Sequence, residues 1–376
     1  MSGKLTYIFF GALLAVLLLV NCSSDDSTAP AEDKAITLAA KVNTLTTRAG
    51  QTGIMDYEVL TTTGFGVFAE STNTNYSGWL NNTQVTYYGN ETNKKDIPGD
   101  IFIYPGNWTY GTTKYWPKDN TAISFYAYAP YTTNFTGTGI TTVGNKTVEY
   151  AVAATPDAGV DLLWGVNGET GFPWENATLE STGGPILITF QHALSGVSFN
   201  VQTNIDDHQI ATADNVTVTV SKITMAPKSG SAFFENGTLN LDNPTEYTPN
   251  WTTKNETEAI QNIELSTVTI GTPSGLFMLI PDEQKDYTVT VEYNVTYKNT
   301  NNADVTLDYT GNNAGKATLS SLALNAGIKY QINLLIGLTT FDLDVTATDW
   351  EDTPQPVNVT IEYGTSANSS LAKERQ

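Results

Sequence analysis

The sequence predicts an all-β protein, and three observations predict it. Thr, Asn, Gly, Tyr and Val dominate a 376-residue chain in which Lys and Arg together number only 18. β-Branched and aromatic residues fit a pleated, half-buried surface, and Asn and Gly fit the turns between strands. Short stretches of alternating apolar and polar residues recur along the chain, and no long apolar segment of 3.6-residue period follows the first twenty residues. Strands this short and numerous, separated by turn signals, imply β-sandwiches, and the length suffices for two domains.

The N-terminus is the exception. Lys4 precedes an apolar run from Ile8 to Val20, interrupted only by Gly11 and too short for a comfortable transmembrane helix. Residues 1–21 therefore read as a secretory signal. Cys22, the one cysteine of the chain, follows directly in "LLLVNCSSDD", with Asn21 where Gly, Ala or Ser usually stands. A signal in register with a cysteine points to a lipidated N-terminus at Cys22, the alternative being a secreted protein with a stray thiol. Residues 22–35 contain "SSDDSTAPAED", an acidic tether with no apolar pattern. With no further cysteine, no disulfide can form, and stability must come from burial and backbone pairing.

The first strand is expected over residues 36–47, "ITLAAKVNTLTT", with Ile36, Leu38, Ala40 and Val42 on one face. "TRAGQTG" then breaks it, and "GFGVFAE" resumes as a short strand. Residues 71–120 are loop-rich, with short aromatic strands between Pro and Gly. In "AISFYAYAPY", Ile123, Phe125, Ala127 and Ala129 face one way, and Ser124, Tyr126 and Tyr128 the other. "VDLLWG" is a short apolar segment, and "PILITFQHALSGVSFNVQT" reads as two strands around a tight turn or short helix at "HALSG". "NVTVTVSKITM" alternates again before "APKSGSAFFENGTLNL" punctuates the chain. A domain boundary is placed there, dividing residues 36–228 from 229–376. The second half repeats the alternation in "IELSTVTI", "GLFMLIP", "YTVTVEYNVTY", "ADVTLDYT", "KYQINLLI" and "FDLDVTATDW".

Charge and motifs narrow the function. A net charge of −21 disfavours nucleic acid, because neutralising phosphates needs cations. Fourteen Asn-x-Ser/Thr triplets follow Cys22, which a chain this rich in Asn and Thr produces by chance. The two histidines, His192 in "FQHALSG" and His208 in "DDHQ", accompany no GxSxG or HExxH motif, so no catalytic residue, metal site or cofactor is assigned and the chain reads as a non-enzyme. Asp342, Asp344, Asp349, Glu351 and Asp352 crowd one stretch, but they lack the spacing of a calcium loop and read as a solvated strand face. Trp79, Trp108, Trp116, Tyr104, Tyr110 and Tyr115 cluster in loop-rich sequence, either as core packing or as exposed platforms for a glycan. Arg48 is one of only two arginines, the other being Arg375. It lies where the first strand ends, so an arginine-specific protease would find one internal site.

In order along the chain, the signal with Cys22, "TTRAG", "FGVFAE", "ISFYAYAPY", "DLLWG", "ITFQHALSGVSFNV", "LFMLIP", "GIKYQINLLI" and "TDW" resemble the fimbrillin-like lipoproteins, subunits of type V pili. The resemblance implies two tandem transthyretin-like β-sandwich domains and export as an outer-membrane lipoprotein of the cell surface. It implies cleavage after an arginine, matched by Arg48–Ala49, with residues 36–48 as the removable segment. It further implies polymerisation with other pilin subunits by strand exchange, and a host glycan or protein as a further partner. "PVNVTIEYG" alternates Val357, Val359 and Ile361 with polar residues, making 357–363 either a donor strand or an ordinary final strand. Pro354 and Pro356 are expected to keep it from folding straight back onto the sheet. The other reading is a monomeric surface lipoprotein that binds polysaccharide through Trp79, Trp108, Trp116 and Tyr110.

Overall fold

The computed structural model describes residues 33–42, 54–88, 108–135, 137–205, 216–228, 232–253, 262–299, 301–337, 341–349, 355–356 and 360–363. It is a β protein, as expected. In chain order the strands are β1 (Leu38–Val42), β2 (Phe65–Glu70), β3 (Leu80–Tyr87), β4 (Trp108–Thr109), β5 (Ile123–Ala129), β6 (Gly139–Val143), β7 (Thr147–Ala151) and β8 (Leu163–Asn167). There follow β9 (Trp174–Ala177), β10 (Ile186–His192), β11 (Ser195–Thr203), β12 (Thr217–Pro227), β13 (Asn236–Thr245), β14 (Thr248–Thr253), β15 (Ile263–Leu265) and β16 (Phe277–Leu279). The last are β17 (Asp282–Lys298), β18 (Asp304–Tyr309), β19 (Gly315–Leu324), β20 (Ile328–Ile336), β21 (Phe341–Asp349), β22 (Gln355–Pro356) and β23 (Thr360–Tyr363). Two short helices, α1 (Tyr57–Thr63) and α2 (Leu179–Thr182), interrupt them.

Four sheets result. The largest has eight strands in the order β1-β10-β8-β5-β2-β3-β4, with β9 beside β5. Its two faces follow the alternation of its strands. Ile123, Phe125, Ala127 and Ala129 join one core with Phe65, Val67, Ile188 and Phe190. Tyr126 and Tyr128 turn to the other side with Phe68, Trp164 and Val166, where they meet Val148, Tyr150, Leu239 and Leu241. The latter four come from a four-stranded sheet, β14-β13-β7-β6. The same core continues between a five-stranded sheet, β16-β11-β20-β21-β22, and a six-stranded one, β15-β12-β17-β19-β23 with β18 beside β17.

Two expectations change here. "HALSG" is not the turn of a hairpin. β10 and β11 lie in different sheets, joined only by Ala193 and Leu194, both fully buried. Other segments capture that link: Ala193 N–H donates to Leu162 O (2.8 Å), Gly327 N–H to Leu194 O (2.9 Å) and the Trp251 indole N–H to Ala193 O (2.9 Å). Buried backbone groups need such partners, so the link can cross between sheets without forming a turn. Strand pairing also crosses residue 228. β11 and β12 pair with β20 and β17, while the β6–β7 hairpin joins the later β13 and β14.

One side chain ties the sheets together. Lys146, in the turn between β6 and β7, reaches Glu70 at 2.6 Å and Asp242 at 3.0 Å and lies over the Tyr126 ring. Burial alone would lower its pKa. The hydrogen bonds and charges of the two carboxylates outweigh burial and raise it above the usual lysine value.

Candidate functional site

β1 is the structural feature with the clearest consequence. It lies parallel to β10, with Leu38 opposite Ile186 and Val42 opposite Phe190, and it is the outermost strand on that side of the sheet. Ile36, Leu38, Ala40 and Val42 are all buried on the shared face predicted from their spacing. An edge strand can leave by breaking one ladder, without disrupting the interior of the sheet. Its departure would uncover the β10 edge and the apolar slot beneath. Burying Ile36, Leu38 and Val42 contributes roughly 1.5–3 kcal/mol each, so the strand is held firmly.

The aromatic segment hypothesised as a glycan platform is instead part of what holds β1. Trp108, Tyr110 and Trp116 are buried in the same core as β1. Trp108 packs against Phe65 and Tyr87, and Trp116 against Phe125. The Tyr110 hydroxyl donates to Ile36 O at 2.7 Å, Ile36 N–H donates to Lys114 O, and Trp116 N–H donates to Lys34 O. With their faces inside the core, these three rings present no stacking surface. Trp79 is only partly buried, edge-on to Tyr76 with the Lys114 ammonium above it, and Tyr115 is exposed. Tyr104 lies outside the described residues.

Where the chain re-enters after β1, it is pinned. Met55 N–H donates to Asp161 Oδ2 at 3.0 Å, and the same oxygen lies 2.7 Å from His192 Nδ1. Asp161 is fully buried, and His192, the last residue of β10, nearly so. Asp56 then caps α1 through Val59 N–H at 2.8 Å, and Gly64 ends it at φ +71°, where a Cβ would strike Val85 O. This pin stands two residues beyond the end of the β1–β10 ladder. Sequence reasoning missed it. The available signal was an aspartate, Asp161, just before the apolar strand β8 and a histidine, His192, at the end of β10.

The C-terminal tail departs from expectation in part. Pro356 does not keep it off the sheets: β22 pairs with β21 through Pro356 opposite Thr346, and β23 pairs antiparallel with β19, Ile361 opposite Leu319. Both tail strands are outermost in their sheets, the position where a missing N–H is tolerated. Ile361 is partly buried against the main core. Cys22, Arg48, Ala49, His208, Glu351, Asp352, Pro354, Val357 and Val359 lie outside the described residues. Asp342 and Asp344 are exposed on one face of β21, and no group of three or more potential metal ligands gathers among the described residues. No helix among them is long and apolar enough to cross a membrane.

Comparison with known proteins bears on these features. The model of a family described as fimbrillin-like matches residues 47–350. The chain is similar to the fimbrium subunit Fim1C of Phocaeicola vulgatus, 25% identical over 205 residues, which is 52% of this chain and 50% of that protein. It thus spans about half the length of this curated relative. A crystal structure of a fimbrial protein from Bacteroides vulgatus shares the fold, with a TM-score of 0.59 at 18% identity, covering 84% of this chain and 99% of that one.

Proposed function

The chain belongs to the fimbrillin-like family, and on that premise we propose that it is a structural or adhesive pilus subunit that becomes competent for assembly when β1 is cut away. In this reading Cys22 carries the lipid that brings the precursor to the outer membrane. An arginine-specific protease cuts between Arg48 and Ala49, and β1 leaves with the anchor. A strand from a neighbouring subunit then pairs with the bared edge of β10 and fills the slot left by Leu38, Ala40 and Val42. The observation that carries the reading is the placement of β1. It is deep in a core and outermost in its sheet, held by one strand ladder to β10 and by the few hydrogen bonds of Lys34 and Ile36 to the segment around Tyr110 to Trp116. The Met55–Asp161 hydrogen bond supports it, because it fixes the retained chain a few residues past the cut.

The donor is residues 357–363 of the neighbour, with Val357, Val359 and Ile361 entering the slot. One observation favours a second reading: β23 is folded onto its own β19, so the subunit would accept a strand and donate none, as at a pilus tip. The test is treatment of purified precursor with an arginine-specific protease, followed by N-terminal sequencing and a gel for heat-resistant ladders. The donor reading expects a product starting at Ala49, a ladder from the wild type and none from Val359→Asp. A ladder unchanged by that substitution overturns the C-terminal donor. An intact Arg48–Ala49 bond overturns the activation step.

A further inference from the structure

A second concave site lies away from β1. Three segments line an open cleft of about 620 Å³: the β13–β14 hairpin, the β16–β17 junction and the β19–β20 turn. That volume falls within the range of small-molecule sites, about 300–1,000 Å³. None of the strands that form it pairs with β1.

The cleft is built and anchored. At the hairpin tip Tyr247 takes a left-handed backbone (φ +52°). Its N–H donates to Gly171 O at 3.0 Å, its hydroxyl to Gly168 O at 2.8 Å, and its ring lies where a side chain on Gly171 would stand. Trp251, on the returning strand, is fixed by its indole N–H on Ala193 O and by an edge contact with Tyr150. On the facing turn, Asn325 N–H donates to the Tyr330 hydroxyl at 3.1 Å.

The groups on this frame are amides, carboxylates and aromatic rings. Asn250 and Asn325 bring amides, Asp282 and Glu283 carboxylates, Tyr247 and Trp251 aromatic surface, and none of the described lining residues is basic. Asp282 is the unusual member. Its side chain is 4% exposed and held by Lys285 at 2.6 Å. Burial raises its pKa above the usual carboxylate value in spite of the lysine. A carboxyl group buried beside a lysine at the wall of a cleft is costly to the fold and is a pattern found at functional sites. Two adjacent carboxylates repel an anionic ligand. Carboxylates and amides together match the alternating donors and acceptors of vicinal hydroxyls, and aromatic faces suit the C–H surface of a sugar ring.

We propose that this cleft binds a short uncharged saccharide, with Asp282 and Asn250 bonding its hydroxyls and Trp251 and Tyr247 walling its apolar face. The site is independent of strand exchange, so the protein cut after Arg48 binds as the uncut protein does. The test is an immobilised panel of neutral and sialylated oligosaccharides probed with the purified full chain, with titration calorimetry on any glycan retained. The expected result is retention of at least one neutral glycan, at least tenfold weaker binding by Asn250→Ala and Asp282→Asn, and a Tm for Asp282→Asn at or above that of the wild type. Retention of sialylated glycans alone, of no glycan, or undiminished binding by both folded variants overturns the proposal. None of these outcomes touches the assembly reading, which the gel ladder tests separately.

Discussion

Two outermost strands, β1 and β23, sit near opposite ends of the chain and are held by different means. β1 runs parallel to β10 and drives a continuous apolar face into a core closed over by Trp108, Tyr110 and Trp116. β23 is a four-residue antiparallel strand on β19, with Ile361 only partly buried. Chain position does not explain the contrast, since each lies near an end of the chain and is outermost in its sheet. Burial does: β1 fills a slot, whereas β23 covers an edge. A filled slot resists exchange, and removal of its strand would leave a defined vacancy. A covered edge can be exchanged at low cost.

This contrast can be broken by measurement, and the largest effect is expected at β1. Leu38→Asp places a charge in the sealed core and should destabilise the uncut protein by at least about 4 kcal/mol in a denaturant titration, since an unpaired buried charge adds to the lost burial. An effect below about 1 kcal/mol would show that β1 is not docked as described. Next is the pin beyond it. Asp161→Ala removes the acceptor of Met55 N–H and the partner of His192, and should cost about 2–4 kcal/mol. Hydrogen exchange should quicken at Met55 and through α1 more than in β17, and uniform quickening would argue against a local pin.

A smaller effect is expected at the Lys146 bridge, where Lys146→Met should cost about 1 kcal/mol, mostly by leaving Glu70 and Asp242 facing each other. Its pH dependence has a definite sign. A lysine whose folded pKa is raised contributes stability that is fully present below its unfolded value, about 10.4, and is lost as pH rises through the folded value. The gap between wild type and Lys146→Met should therefore hold at pH 7–9 and close above pH 10.5, and a gap that widens there would refute the bridge. The smallest change in monomer stability is expected for Ile361→Asp, under about 1 kcal/mol by thermal melting. If it rivals Leu38→Asp, the tail is core structure and the distinction between the two edges fails.

Much of this was legible beforehand. The faces of β1 and β5 follow from alternation alone, because the period-2 geometry of a strand is local and the side chains obey it wherever the strand ends up. A buried strand was placed within residues 36–47 for the same reason. The aromatic cluster was less legible: Trp108, Trp116 and Tyr110 have the composition of a glycan platform and the burial of a core. Residue type gives a preference, not the number of atoms that will cover a ring. The cleft at Asp282 had no sequence signature, since its walls come from three separate turns.

What the sequence by itself determined was the all-β class, the inward face of each well-patterned strand and the family kinship of the ordered segments. Only the tertiary structure decided the partners. β1 lies on β10 and β11 on β20, in parallel pairs far apart along the chain, and the chain switches sheets at Ala193–Leu194 where a tight turn or short helix was expected. The physical reason is that lengthening a loop adds little entropic cost, so chain distance hardly restrains which edges meet. The choice falls to which apolar faces bury one another most completely. The same packing put Asp161 and His192 against Met55, and Asp282 at the wall of a cleft.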